Sequence, residues 1–271
     1  MSPIFAARLR AALFWGPVGL ILLYMTIPAL VVVMTSFSPS ELLEFPPAGL
    51  SLRWYARALS YPDFRNGFAN GLIVTTFAST AALAVGSAFA YLVDRYSFRG
   101  RAALEAVLSS PLIVPHFTTG FGFLLLGAEL GLTRSYAIVI AAHVLLVLPF
   151  VVRSVYVSLK NIDPRLERAA ANLGASPGRV LARVTLPLLL PGMAGGWLIA
   201  AILSLTEFTA SLYVTEARTQ TLPVAMYGYI REYSDPTIAA ISALLIIATT
   251  LLMLLANRYL GLRRILAIDA H

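Results

Sequence analysis

Between two long apolar stretches, residues 163–187 read Asp-Pro-Arg-Leu-Glu-Arg-Ala-Ala-Ala-Asn-Leu-Gly-Ala-Ser-Pro-Gly-Arg-Val-Leu-Ala-Arg-Val-Thr-Leu-Pro. Charge at that density suits contact with a partner outside the bilayer. Within it, Gly174-Ala175-Ser176-Pro177-Gly178 matches the G-x-S-x-G pattern of a hydrolase nucleophile elbow. That elbow needs a strand before it, a helix after it, and a histidine and carboxylate nearby. Here a predicted helix precedes it, His116 and His143 lie inside apolar runs, and His271 is at the chain end, so no nucleophilic set is expected. The histidines have no ligand spacing with each other or with carboxylates, which argues against a metal site. No Gly-x4-Gly-Lys-Ser/Thr cradle for nucleotide phosphates occurs, and no cofactor is expected. ATP-driven work would therefore need a motor on another polypeptide.

The elements that must position this segment follow from local propensity. Asp163 is a good N-cap and Pro164 suits the first helical position. Leu166, Glu167, Ala169, Ala170, Ala171 and Leu173 favour a short helix of roughly three turns. Gly174 can take the left-handed conformation that ends it, and Ser176-Pro177-Gly178 turns the chain away. Paired alanines leave little side-chain bulk, so a partner can approach closely.

Of the 271 residues, 59% are hydrophobic and 12% charged, a balance far from that of a soluble domain. The chain reads as an all-α integral membrane protein, a single transmembrane domain over 1–271. Six apolar runs are long enough to span, at about 12–37, 69–93, 103–127, 135–157, 188–209 and 237–257. The first exceeds a signal-peptide core, and Met34-Thr35-Ser36-Phe37 lacks a small-residue cleavage site, so it is retained as a helix. Absence of cysteine excludes only disulfides and thiolate metal sites.

Basic residues orient the spans. Arg8, Arg10, Arg95, Arg99, Arg101, Arg153, Lys160, Arg165, Arg168, Arg179, Arg183, Arg258, Arg263 and Arg264 fall on one side. Only Arg53, Arg57, Arg65, Arg134, Arg218 and Arg231 fall on the other. The positive-inside bias puts both termini and the 158–187 loop in the cytoplasm. Topology and anionic membrane lipid account for the net charge of +7, and no basic and aromatic stripe argues for nucleic acid.

Several features have two readings. Gly192-x-x-x-Gly196 and Gly67-x-x-x-Gly71 permit close helix approach or are simple loop and helix-end glycines. Pro111 and Pro115 in the third run and Pro149 in the fourth border a pathway or only kink the packing. His143 is an interhelical hydrogen-bonding residue or a pathway residue. Glu207 lies twenty residues after Pro187, so at ~1.5 Å per residue it sits roughly 30 Å away, towards the periplasmic end of the fifth span. There it screens cationic solutes, with Phe208, Tyr213 and Trp197 as aromatic neighbours, or is solvated at the interface or paired with Arg218. Trp54, Tyr55, Tyr227, Tyr229 and Arg231 touch an extracellular partner or form an aromatic belt.

The 163–187 segment resembles the "EAA" loop of permease subunits in binding-protein-dependent ABC importers, with Ala169, Ala170, Gly174, Val184, Leu186 and Pro187 in register. Tyr96-Ser97-Phe98-Arg99-Gly100-Arg101, Pro111-Leu112-Ile113-Val114-Pro115, Ala142-His143 and Leu148-Pro149-Phe150 extend the likeness over roughly 60–260. Leu186-Pro187-Leu188, Gly196-Trp197, Ser204-Leu205-Thr206-Glu207-Phe208 and Thr221-Leu222-Pro223-Val224 look most like the spermidine/putrescine permease group, while permeases for iron, thiamine and phosphonates share much of this. One departure is Arg168 where the family usually has its glutamate, with Glu167 one place earlier. The resemblance implies six transmembrane helices with a cytoplasmic coupling helix between the fourth and fifth, in a bacterial inner membrane. It implies a second permease, homologous or identical, two cytoplasmic ABC ATPase subunits and a periplasmic or surface solute-binding protein. Ala169, Ala170, Leu173 and Gly174 are then the close-contact residues, with Arg165, Glu167 and Arg168 as rim charges. A polyamine or similar small cation is the expected solute. An ATP-independent channel or secondary transporter is the rival, for which Glu207 offers few intramembrane charge partners.

Overall fold

The computed structural model describes residues 3–133 and 135–260, all helix and connection. Arg134, Arg263 and Arg264, counted above in the charge bias, and His271 lie outside the described residues. In chain order the helices are α1 (Pro3–Thr35), α2 (Arg53–Ser60), α3 (Pro62–Arg95), α4 (Arg101–Ser109), α5 (His116–Glu129) and α6 (Tyr136–Lys160). They continue with α7 (Pro164–Asn172), α8 (Pro177–Val180), α9 (Leu186–Leu205), α10 (Ser211–Val214), α11 (Leu222–Glu232) and α12 (Thr237–Leu260). Among the described residues, five stretches are long and apolar enough to cross a membrane: Leu13–Thr35, Pro62–Arg95, Tyr136–Lys160, Pro177–Leu205 and Thr237–Leu254.

The third predicted span is not one rod. Arg101–Leu112 and His116–Glu129 meet at 100°. Pro111 ends α4 in a 3-10 turn over Ser110–Leu112, and Pro115 precedes the first residue of α5. Each proline lacks a donor and crowds the preceding turn, and two within five residues stop a continuous helix. The fifth span also differs from expectation, since its helical path starts at Pro177 and ends at Leu205, leaving Glu207 beyond it. Pro187 lacks the N–H that would donate to the carbonyl of Arg183, and the chain widens into a π-turn over Leu181–Thr185.

The chain divides into two compact units. One comprises the residues up to Tyr61 with Gly228–Ala248, the other Pro62–Tyr227 with the residues from Thr249 onward. In the first unit, Trp54 of α2 is buried and its indole N–H donates to the Ser38 carbonyl at 2.8 Å. Arg57 of α2 reaches Asp235 at 3.2 Å, and Tyr61 meets Tyr229 edge to face.

The core of the second unit is a bundle of α3, α6 and α9, filled by Ala82, Ala90, Val147, Val151, Val155, Leu159, Leu189 and Ala200. Small residues bring the helices together. A Cβ on Gly192 would collide with the Ser158 side chain, and one on Gly196 would lie 3.1 Å from Ser154 Cβ. Ser154 Oγ donates to the buried carbonyl of Gly192 at 3.0 Å. The Gly192/Gly196 pair is therefore a packing seam with α6. Gly67 similarly meets the Leu222 backbone, its Cβ position 3.0 Å from Leu222 Cα.

Candidate functional site

The helix predicted after Asp163 is α7, and its ends are built as the residue types dictate. Asp163 Oδ1 accepts from the Arg165 N–H at 2.8 Å. At the other end Gly174 has φ +84°, its N–H donates to Ala171 and that of Ala175 to Ala170, the two bonds of a Schellman close. The G-x-S-x-G stretch thus follows a helix, as expected.

No residue of α7 is fully buried. Leu166, Ala169, Ala170 and Leu173 recur at helical spacing, with Leu166 49% and Leu173 90% exposed. An apolar stripe of this period normally faces a core. Arg165, Arg168 and Gly174 are exposed around it, and Arg168 Nε reaches only the Pro164 carbonyl at 3.4 Å.

Glu167 points elsewhere. Its Oε1 accepts from Arg95 Nη2 at 2.9 Å and from Thr185 Oγ1 at 2.7 Å. Arg95 also pairs with Asp94 Oδ2 at 2.7 Å, and Lys160 Nζ reaches Asp94 Oδ1 at 2.9 Å. The Asp94 side chain is 1% exposed, so removing either cation would leave a buried charge undercompensated. The network ties α7 to the ends of α3 and α6 and to the π-turn leading into α9. Sequence reasoning missed Asp94, Arg95, Lys160 and Thr185 as a group. The signal was an acidic residue at the basic end of an apolar run.

The solute-site candidates fall into separate places. Glu207 Oε2 lies 2.8 Å from His116 Nδ1, and Oε1 accepts from the Ala210 N–H at 2.7 Å. His116 begins α5, so this pair pins the broken span to the segment after α9. A Cβ on Gly120 would lie 2.7 Å from Ala210 Cα, so α5 passes that segment at glycine-only distance. The alternative partner Arg218 does not fill this role, and His116 was not foreseen.

His143 is 1% exposed, with Nδ1 2.8 Å from Ser204 Oγ and Nε2 2.9 Å from Ser211 Oγ. Ser211 Oγ donates to the Glu207 carbonyl at 3.0 Å, so His143 supports the Glu207 segment from inside the protein. Phe208 contacts Tyr227 and Tyr213 contacts Phe121, with ring centroids 5.2 and 6.4 Å apart. Trp197 stands apart, ten residues earlier and thus about 15 Å along the helix. Its indole N–H donates to Thr80 Oγ1 at 3.1 Å.

Several helices long and apolar enough to span a membrane, with a polar helix anchored between two of them, describe a multi-pass membrane protein. The chain matches the family "binding-protein-dependent transport system inner membrane component" over residues 82–265, and it belongs to that family. It is 28% identical over 238 residues to the spermidine/putrescine transport system permease protein PotC of Escherichia coli (strain K12), covering 88% of this chain and 89% of that one. It is 34% identical over 207 residues to the molybdenum transport system permease protein ModB of the same organism, covering 70% and 90%. Its fold is similar to a bacterial ABC transporter involved in the import of the acidic polysaccharide alginate, with TM-score 0.71, 18% identity, and 96% and 98% of the two chains covered. The chain is an inner-membrane, multi-pass permease subunit of an ABC importer.

Proposed function

We propose that residues 1–271 act as one permease domain forming half of a solute pathway, driven through α7 by separate ATPase subunits. A second permease, identical or homologous, encloses the pathway, two cytoplasmic ABC ATPases receive the α7 helices, and a periplasmic or surface protein delivers the solute. Both termini are cytoplasmic. The observation that carries this reading is the stripe of exposed Leu166, Ala169 and Leu173 with half-buried Ala170, on a helix anchored through Glu167 to the spans. A bare stripe supplies a docking surface, and a rigid anchor lets a docked partner move α3, α6 and α9. In this arrangement Arg165 and Arg168 are rim charges, whereas Glu167 holds the helix to its own chain.

The test is co-purification of the tagged chain with its native partners. Ala170→Glu puts a charge into the stripe, and Gly174→Asp strains the left-handed turn. Both should lose a P-loop ATPase that wild type retains, with unchanged elution of the permease on gel filtration. Absence of an ATPase from wild type under complex-preserving conditions would return weight to a channel or secondary transporter.

For the solute, a polyamine or similar small cation is supported by similarity to PotC and by the carboxylate of Glu207. A second reading, another solute such as an oxyanion, is favoured by the 34% identity to ModB and by the His116 that already occupies Glu207. Uptake of radiolabelled putrescine and molybdate into cells separates them. Charge-assisted contacts contribute about 1.5–3 kcal/mol, so Glu207→Gln should lower uptake of a cationic solute about tenfold or more at subsaturating concentration. An unchanged or increased rate would remove Glu207 from cation selection.

A further inference from the structure

The 100° break after α4 changes where that helix runs. Where α5 crosses the bilayer, the bend turns α4 towards the membrane surface, at the end of the bundle where α3 ends. A cavity of about 450 Å³ opens between α4 and α6. Its walls are two stripes at helical spacing, with Arg101, Leu108 and Leu112 on one side and Phe150, Arg153 and Tyr156 on the other.

Polarity is graded along the cavity. Along α4 and the turn that ends it the lining runs from Arg101 and Glu105 to Leu108 and Leu112, and along α6 from Tyr156 and Arg153 back to Phe150. Arg101 interacts with Tyr156, so the polar ends of the two stripes meet. Glu105 also lines it and engages Arg101 Nε at 2.8 Å, leaving the wall with an excess positive charge. Arg153 has no ion pair or side-chain hydrogen bond among the described residues. A cation is disfavoured by two guanidinium groups against one carboxylate, and a wholly apolar ligand leaves Arg153 unpaired. An anion with an apolar tail satisfies both ends.

We propose that the α4–α6 cavity binds an anionic phospholipid, its phosphate on Arg153 with Arg101 and the Tyr156 hydroxyl, and the start of one acyl chain along Leu108, Leu112 and Phe150. Basic pockets between membrane helices at headgroup depth suit such lipids. The site lies beside the Asp94, Arg95 and Lys160 network, so an occupied cavity braces the helix ends that carry α7. The inference rests on the chain spanning a membrane with α5 as a crossing, and does not depend on the solute or on ATPase docking.

The test is native mass spectrometry of the full-length chain, purified in mild nonionic detergent and stripped of lipid, then titrated with phosphatidylglycerol, phosphatidylcholine or inorganic phosphate. One phosphatidylglycerol per chain should be retained at concentrations where the other two are not. Arg153→Ala should weaken it about tenfold, the scale of one charge-assisted contact, while Arg153→Lys keeps most of the affinity. Should Arg153→Ala fail to fold by gel filtration, Leu112→Gln decides. Leu112 is 57% exposed, and its change should weaken long-chain more than six-carbon phosphatidylglycerol. Equal retention of phosphatidylcholine, or phosphatidylglycerol binding indifferent to both substitutions, overturns the proposal. Inorganic phosphate binding as tightly as the lipid, with the same dependence on Arg153, overturns the lipid assignment in favour of a soluble anion.

Discussion

Glu207 has both carboxylate oxygens engaged within its own chain, so a cation arriving there must displace His116 rather than fill an empty site. Exchange of one hydrogen-bonded partner for another costs little, which suits the solute-selecting role proposed for Glu207. Asp235 shows the opposite use of a carboxylate. It accepts from Tyr229 Oη at 3.0 Å and from the Thr237 N–H at 2.9 Å, and it faces Arg57 at 3.2 Å. Burial opposes its ionisation, but hydrogen bonds from Thr237 and Tyr229 and the Arg57 charge outweigh it, holding the carboxyl below its usual 3.8. Burial also pushes the Tyr229 phenol up, which keeps it a donor at neutral pH. Because the folded-state value of Asp235 is depressed, its contribution is complete above the ordinary carboxylate range and is lost as pH falls through the lowered value. Asp235→Asn should therefore destabilise the protein by about 1–2 kcal/mol at pH 7, with the gap from wild type narrowing as pH falls below the ordinary carboxylate range, as read by thermal unfolding in detergent. At this scale the sequence exposed ionisable residues in apolar surroundings but not their partners. Glu207 was visible as such a residue, whereas its bond to His116, 91 positions away, depends on how two helix ends meet.

At the scale of elements, composition and punctuation were readable and angles were not. Asp163, Pro164 and Gly174 marked both ends of α7 because capping is local chemistry. Pro111 and Pro115 marked an interruption in the third run, but nothing in their spacing specified a 100° turn. The Gly192/Gly196 seam was legible as a possibility, and only the packed helices decide it. The seam gives a sharp prediction. Gly192→Ala places a methyl group against the Ser158 side chain and forces α9 away from α6, at a cost of about 1–3 kcal/mol. Ser158→Gly in the same chain removes the obstructing atoms and should restore most of the loss despite glycine's own helix penalty. Thermal unfolding of the two single variants and the double variant measures the coupling. Near-additive effects would mean that the helices separate for another reason.

For the whole molecule, the number of crossings between α2 and α7 decides which face α7 occupies. Three elements intervene: α3, the bent pair α4 and α5, and α6. If the bent pair crosses once, the two ends of this stretch lie on opposite faces; if it is re-entrant, they share a face. The chain has no cysteine, so single reporters can be introduced without background. Leu50, 85% exposed just before α2, and Ser176, exposed after α7, bracket the stretch. The expected result with a membrane-impermeant maleimide is that Leu50→Cys labels in spheroplasts and Ser176→Cys labels only in inverted vesicles. That outcome makes the bent pair a sixth crossing and puts the α7 stripe on the face where ATP is available. Labelling of both from the same side would make the pair re-entrant, since α3 and α6 alone return the chain to the face it left. Labelling of Ser176→Cys from outside would remove α7 from the reach of a cytoplasmic motor, and the anchored network behind it would then need another partner.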